Sequence, residues 1–187
     1  ACAIAAGAAT IYRNYFADVD GHGGQTRDRQ IDCLRDLGAA LGNEDHALWT
    51  MRNGYALCTE QGLERIDRRL IGSSHADINE LRATLRIGLH WNVEATEAPS
   101  PRPCVSQAFC SALPMSRNYT SIPARHWRAF ATLVLEGAYE ATLWAAVFNA
   151  QRSGSNVVFL TLLGGGAFGN DIDWILGALT RALELVR

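Results

Sequence analysis

The sequence predicts an α/β fold, a three-layer α/β/α arrangement around a central mixed sheet, built as one domain over residues 1–187. Three observations near the end of the chain carry this. Val157-Val158-Phe159-Leu160-Thr161-Leu162-Leu163 is a short β-branched apolar run with the length of a fully buried strand. Before it, Arg125 to Ala150 repeats apolar residues at helical spacing, among them Trp127, Phe130, Leu133, Val134, Ala138, Leu143, Val147 and Phe148. After it, Asp171 to Arg187 does the same through Ile172, Ile175, Leu176, Leu179, Leu183 and Val186. Helices on either side of a buried strand place helices over both faces of a sheet.

Taken in order, Ala1 to Phe16 reads as a helix of small residues suited to close packing. Asp18 to Gly24 is a polar, Gly-rich loop. A helix is expected from Thr26 to Leu41, with Ile31, Leu34, Leu37 and Leu41 on one face and Gly42-Asn43 as its stop. Leu48 to Thr59 is a strand interrupted at Asn53-Gly54 by a hairpin turn or a bulge. Gln61 to Ile71 is a charged amphipathic helix, and a short helix covers Asp77 to Ala83. Leu85 to Val93 and Val105 to Leu113 read as strands flanking a Pro-rich surface loop at 98–103, and Pro114 ends the second.

Composition narrows the chemistry. All 17 basic residues are arginine, so no lysine can act as base, Schiff-base former or phosphate ligand. The net charge of −2 gives no reason to expect a nucleic-acid or membrane-surface partner. Five cysteines without a CxxC or zinc spacing read as reduced thiols, in keeping with a cytoplasmic setting. No GxSxG elbow accompanies Cys110 or Ser111, which disfavours a Ser or Cys hydrolase. Asp18-x-Asp20-x-His22-Gly23 imitates the start of a calcium loop, but Arg29 stands where the closing Glu belongs. No metal and no cofactor is expected. The start at Ala1, in mid-pattern, leads us to expect a preceding segment.

The feature that points to function is Leu163-Gly164-Gly165-Gly166-Ala167-Phe168-Gly169-Asn170, between the apolar run and the last helix. Glycines there let backbone approach a ligand closely and present N–H groups together, a geometry suited to phosphate. The alternative is a tight connection that needs glycine for its shape alone. A Walker loop is excluded, since no lysine follows.

The stretch VVFLTLLGGGAFGNDIDWILGALTRAL resembles the closing strand–loop–helix of macrodomain-type ADP-ribose-binding modules, most of all the microbial poly(ADP-ribose) glycohydrolase branch. In that branch a Gly-rich loop ending in Phe-Gly-Asn cradles the diphosphate. ACAIAAGAATIYRNYF is similar to the small-residue helix after the family's first ligand loop, and NGYALCT with LRIGLHWNVEAT resembles its middle section. The family's Asn-Ala-Asn loop and its Gln-Glu-Glu signature are missing; the nearest counterpart is the run from Gly24 to Asp32. The combination is similar to a divergent class of macrodomain-like bacterial effectors.

The resemblance implies an enzyme that hydrolyses ADP-ribose from a modified protein side chain, with ADP-ribosylated ubiquitin as a target and the cytoplasm of producer or host as its setting. It implies that residues 163–170, with Asn14 and Gln25, hold ADP-ribose. Cleaving the ribosyl bond passes through a cationic state that a carboxylate can stabilise. Asp20, Asp28 and Asp32 are the carboxylates for that work. Asp28 and Asp32, four residues apart, would share a helix face; a solvated helix start explains them equally. A reader module that binds ADP-ribose without cleaving it, and a structural domain whose pocket has lapsed, remain as alternatives.

Overall fold

The computed structural model describes residues 6–152 and 154–187, so the first five residues of the expected opening helix lie outside the described residues. The elements in chain order are α1 (Ala6–Tyr15), β1 (Asp18–Val19), β2 (His22–Gly23), α2 (Arg35–Leu41), β3 (Trp49–Arg52), β4 (Tyr55–Cys58), α3 (Glu60–Ile71), α4 (His75–Thr84), β5 (Gly88–Glu94), β6 (Cys104–Phe109), α5 (Ala124–Gln151) and α6 (Ile172–Leu185). Helices mix with small antiparallel sheets, an α/β composition in the broad sense. The chain divides into two compact units: one holds residues up to Asp32 together with Gly88–Phe109, the other Cys33–Ile87 and Cys110–Arg187.

In the first unit β5 and β6 pair antiparallel from Gly88↔Phe109 to Glu94↔Cys104, with an irregularity between His90 and Val93 where Asn92 takes φ 52°. Tyr12 of α1 lies over β5, its ring centroid 6.3 Å from that of His90. Much of α1 faces outward: Ile11, Tyr12 and Tyr15 are more than half exposed, as is Phe16 just after it. The Gly-rich stretch after α1, expected as an open loop, is a minimal hairpin. β1 pairs with β2, and Asp20 and Gly21 form the turn at φ 53° and 76°. Positive φ at both central positions is the turn whose twist matches antiparallel strands, and an Asp-Gly pair adopts it readily.

The second unit is built around α5. Its first half contributes Trp127, Phe130, Leu133 and Val134 to a core shared with Leu37, Trp49, Leu63, Ile66 and Leu81. Trp49 and Phe130 stack at 4.9 Å. From Leu135 onward, α5 contributes Leu135, Tyr139 and Leu143 to a second core with Ile175, Ala178 and Ala182 of α6. Ser74 and Asp77 close a capping box on α4, and Ser74's bonds hold the Asp77 carboxyl below its usual range. Asn43, after the left-handed Gly42, is buried; its Nδ2 donates to the Trp49 carbonyl and its Oδ1 accepts from the Leu48 N–H. The 48–59 run is a hairpin turning at Asn53 and Gly54, both at positive φ.

Three expectations are corrected. No central mixed sheet is present among the described residues; the strands form three separate two-stranded antiparallel ladders. Residues 157–163 form no strand. Val157, Phe159 and Leu162 are more than half exposed, and Tyr139 of α5 takes the place of a strand partner. Its hydroxyl donates to the Thr161 carbonyl at 2.6 Å and accepts from the Leu163 N–H at 2.9 Å. The helix expected from Thr26 begins only at Arg35. Side chains have captured the backbone that the helix needs: Thr26 Oγ1 accepts from the Arg29 N–H and Gln25 Oε1 from the Ile31 N–H. Asp28 and Asp32 therefore sit on irregular backbone and share no helix face.

Candidate functional site

The first unit holds the acidic residues together with Asn14 and Gln25. Gly24 ties the hairpin to α1. Its N–H donates to the Ala17 carbonyl at 2.6 Å, and at φ +81° it lies so close to α1 that a Cβ would come within 2.7 Å of Tyr15 Cα. Gln25 follows. Its N–H donates to the Arg13 carbonyl, and its Nε2 donates to Asn14 Oδ1 at 3.1 Å. Two of the expected ligand-binding residues, Asn14 and Gln25, are thus brought together, with each other as partners. Asp20 is exposed at the tip of the hairpin, Asp28 is exposed beyond it, and Asp32 is half-buried. Among the described residues no group of three His, Cys, Asp or Glu side chains could hold a metal ion.

The second unit holds residues 163–170. Asn170 is its keystone. The side chain is 5 % exposed; its Nδ2 donates to the Leu113 carbonyl at 2.9 Å, and its N–H donates back to the Gly164 carbonyl at 2.9 Å. Phe168 accepts from the Met115 N–H through its carbonyl at 3.0 Å. The loop is therefore laced to segment 110–115, which runs on beyond β6 without forming the expected strand there. Gly164 and Gly169 adopt φ +76° and +72°, and a Cβ at either would press on Ala112, Asn170 or Ser116. Those two glycines serve the shape of the connection.

Gly166 differs: nothing lies within 4 Å of where its Cβ would stand. Among the described residues the N–H groups of Gly164, Gly166, Ala167 and Phe168 have no acceptor, whereas those of Gly165, Gly169 and Asn170 do. Three successive uncommitted donors, ahead of a helix whose positive dipole end begins at Ile172, are the ingredients of an anion site. Two buried polar atoms beside them also lack partners, Asn170 Oδ1 and Ser116 Oγ. Phe168 makes edge contacts with Tyr55 at 5.7 Å and Tyr119 at 5.5 Å, so its ring is held in an aromatic cluster. Asp171 accepts from the Asp173 N–H and caps α6 at 2.9 Å.

Ser116, Tyr55 and Tyr119 were not legible as site residues. They reach the loop only by folding, and no motif marks them. Cys58 and Cys110 are poor nucleophiles: burial pushes the Cys58 thiol up to about 12 and raises that of Cys110. No family model matches this chain, and no curated protein or solved structure matches it either.

Proposed function

We propose that this chain binds ADP-ribose through residues 163–170 and hydrolyses it from a modified protein side chain. The observation that carries the binding half is the run of uncommitted donors at Gly166, Ala167 and Phe168, opposite the open space around Gly166. A diphosphate supplies the acceptors those donors lack, and the α6 dipole favours its charge. The loop's own fixings, through Asn170 to Leu113 and Phe168 to Met115, hold the donors in place before a ligand arrives. From the first unit, the same reading takes Asn14 and Gln25 as ligand groups and Asp20, Asp28 and Asp32 as carboxylates for ribosyl transfer to water. A macrodomain-like order of elements belongs to the same reading, with small-residue helix, long helix, Gly loop and closing helix in sequence, though without that family's central sheet among the described residues. So do ADP-ribosylated ubiquitin as target and a cytoplasmic setting, the latter supported by Cys33, Cys58, Cys104 and Cys110 standing outside any disulfide. No helix among the described residues is long and apolar enough to cross a membrane.

A second reading, a reader without catalysis, is favoured by one observation. Every group of the Gly loop belongs to the second unit, and the three carboxylates belong to the first. Binding alone needs only the former. Calorimetric titration with ADP-ribose tests binding, and release of ADP-ribose from modified protein tests catalysis. Asp20→Ala, Asp28→Ala and Asp32→Ala are expected to leave affinity intact. At least one should slow release by roughly 10²–10⁴-fold, the range for a positioned acid–base group. Full release by all three removes the acidic cluster from the mechanism. Binding without release by the parent protein establishes the reader. No binding at all discards both readings.

A further inference from the structure

We propose that the second unit carries a separate site, a groove between α3, α4 and α5 that takes a small ligand with an anionic head and an apolar body. The groove is shallow and open to solvent, with a volume of about 380 Å³. Its floor is apolar: Leu70, Ile78, Ala129 and Leu133 line it. Its charged groups are unequally committed. Arg82 is fixed, its Nε donating to Glu136 Oε2 at 2.8 Å and its Nη1 to Asn79 Oδ1 at 2.6 Å. That pairing cancels Glu136, leaving Arg125 and Arg128 against the single carboxylate of Asp67. Neither Arg125 nor Arg128 has an ion pair or a hydrogen bond from its side chain among the described residues.

Their position in the fold makes this imbalance informative. Arg125 and Arg128 are three residues apart, so both guanidinium stems rise on one side of α5. They stand in the first two turns of a 28-residue helix, where the helix dipole is positive and cations are disfavoured. The first turn carries no acidic residue, and the N-cap is Pro123, without a side-chain bond. His126, also in that turn, places its Nε2 3.5 Å from Glu60 Oε1, away from the groove lining. Two exposed guanidinium groups lining the groove at the positive end of a helix are relieved by an anion. Arginine forks hold a carboxylate or phosphate in two-point contact. An apolar floor beside them selects a ligand that has more than a bare ion to bury.

Phenyl phosphate and benzoate are the probes, titrated calorimetrically into the whole chain, with benzyl alcohol as the uncharged control. Saturable binding of at least one of the two anions is expected, weakening as salt is raised. Loss of both forks in Arg125→Gln/Arg128→Gln should weaken it roughly tenfold or more. The preferred probe separates a phosphate head from a carboxylate head. Gly166→Val controls for the Gly loop: it should leave probe binding unchanged, while Arg125→Gln/Arg128→Gln should leave ADP-ribose binding unchanged. Arg128→Glu adds an independent readout. It should raise the thermal midpoint of the ligand-free protein, by placing a negative charge near the helix start, and it should abolish probe binding. Failure of both anions to bind saturably overturns the proposal. So does binding that survives Arg125→Gln/Arg128→Gln but is lost in Gly166→Val, which would place the anion on the Gly loop instead.

Discussion

Two Gly-rich segments of this chain look alike in sequence and do opposite things with their backbone. In the hairpin at 18–24, Gly21 donates its N–H to Asp18 Oδ1 at 3.0 Å and Gly24 donates to the Ala17 carbonyl. In the loop at 164–170, Gly166, Ala167 and Phe168 donate to nothing among the described residues. Both segments use glycine at positive φ to turn the chain. Only the second leaves successive donors uncommitted, between its two positive-φ glycines, Gly164 and Gly169. The number of glycines therefore says little about ligand binding, and the destination of each N–H says a great deal.

The comparison is broken most severely at Gly24. A methyl group there would overlap the Asn14 carbonyl group and Tyr15 Cα, and φ +81° strains any L-residue. Gly24→Ala should cost about 3 kcal/mol of stability in the first unit, as steric overlap and backbone strain combine. The check is the urea midpoint. A midpoint unchanged from the parent would mean that the hairpin is not clamped to α1 and that its glycines are as free as those of the second loop.

Gly166→Val probes the opposite expectation. With no atom within 4 Å, the new side chain projects into open space and the fold should be kept. ADP-ribose affinity should fall roughly tenfold or more, about 1.4 kcal/mol, because the side chain stands where the diphosphate must meet the backbone. Equal affinity in a folded Gly166→Val protein would reduce the second loop to a connection, and the contrast between the two segments would vanish.

How much of this was legible follows the same division. Helices with a long apolar period were readable to within a residue or two: α3, α5 and α6 lie close to the ranges expected for them. The Asn53-Gly54 hairpin was readable as one of two options, since that dipeptide suits positive φ. Asp20-Gly21 carries the same signal at the centre of the first hairpin, but β1 and β2 are two residues each, too short for any alternation to show. The helix expected from Thr26 failed because apolar spacing is blind to side chains that compete for the backbone, as Gln25 and Thr26 do. Residues 157–163 failed for a reason no local pattern contains. Strand propensity describes fit to a neighbouring strand, and here the neighbour is a helix bearing one well-placed hydroxyl. In the site, the glycines and Asn170 were visible as a motif. The orphaned Ser116 hydroxyl and the Tyr55–Tyr119–Phe168 cluster were not, because residues scattered along the chain meet only in the fold.

Tyr139 gives the smallest and most discriminating test, because it holds the approach to the second loop much as α1 holds the first. Tyr139→Phe keeps the ring, which is buried against α6, and removes only the hydroxyl. The Thr161 carbonyl and the Leu163 N–H then lose their partner, at a cost of about 1 kcal/mol because both groups are close enough to the surface to recover water. The same hydroxyl gives the parent protein a pH signature. Burial outweighs the opposing bond from the Leu163 N–H and raises its pKa above the ordinary value of 10.0. The folded state thus holds a proton that the unfolded state gives up, so the contribution is complete below pH 10.0 and declines as pH rises beyond it. The stability difference between parent and Tyr139→Phe should shrink over that interval; a difference constant with pH would show that the hydroxyl is not buried as described. ADP-ribose binding separates the pin from the loop. The bonds from Gly165 to Leu162 and from Asn170 to Gly164 do not involve Tyr139, so the donors at 166–168 should keep their arrangement and affinity should hold. A collapse of affinity in Tyr139→Phe would show instead that the second loop, like the hairpin, owes its shape to the helix beside it.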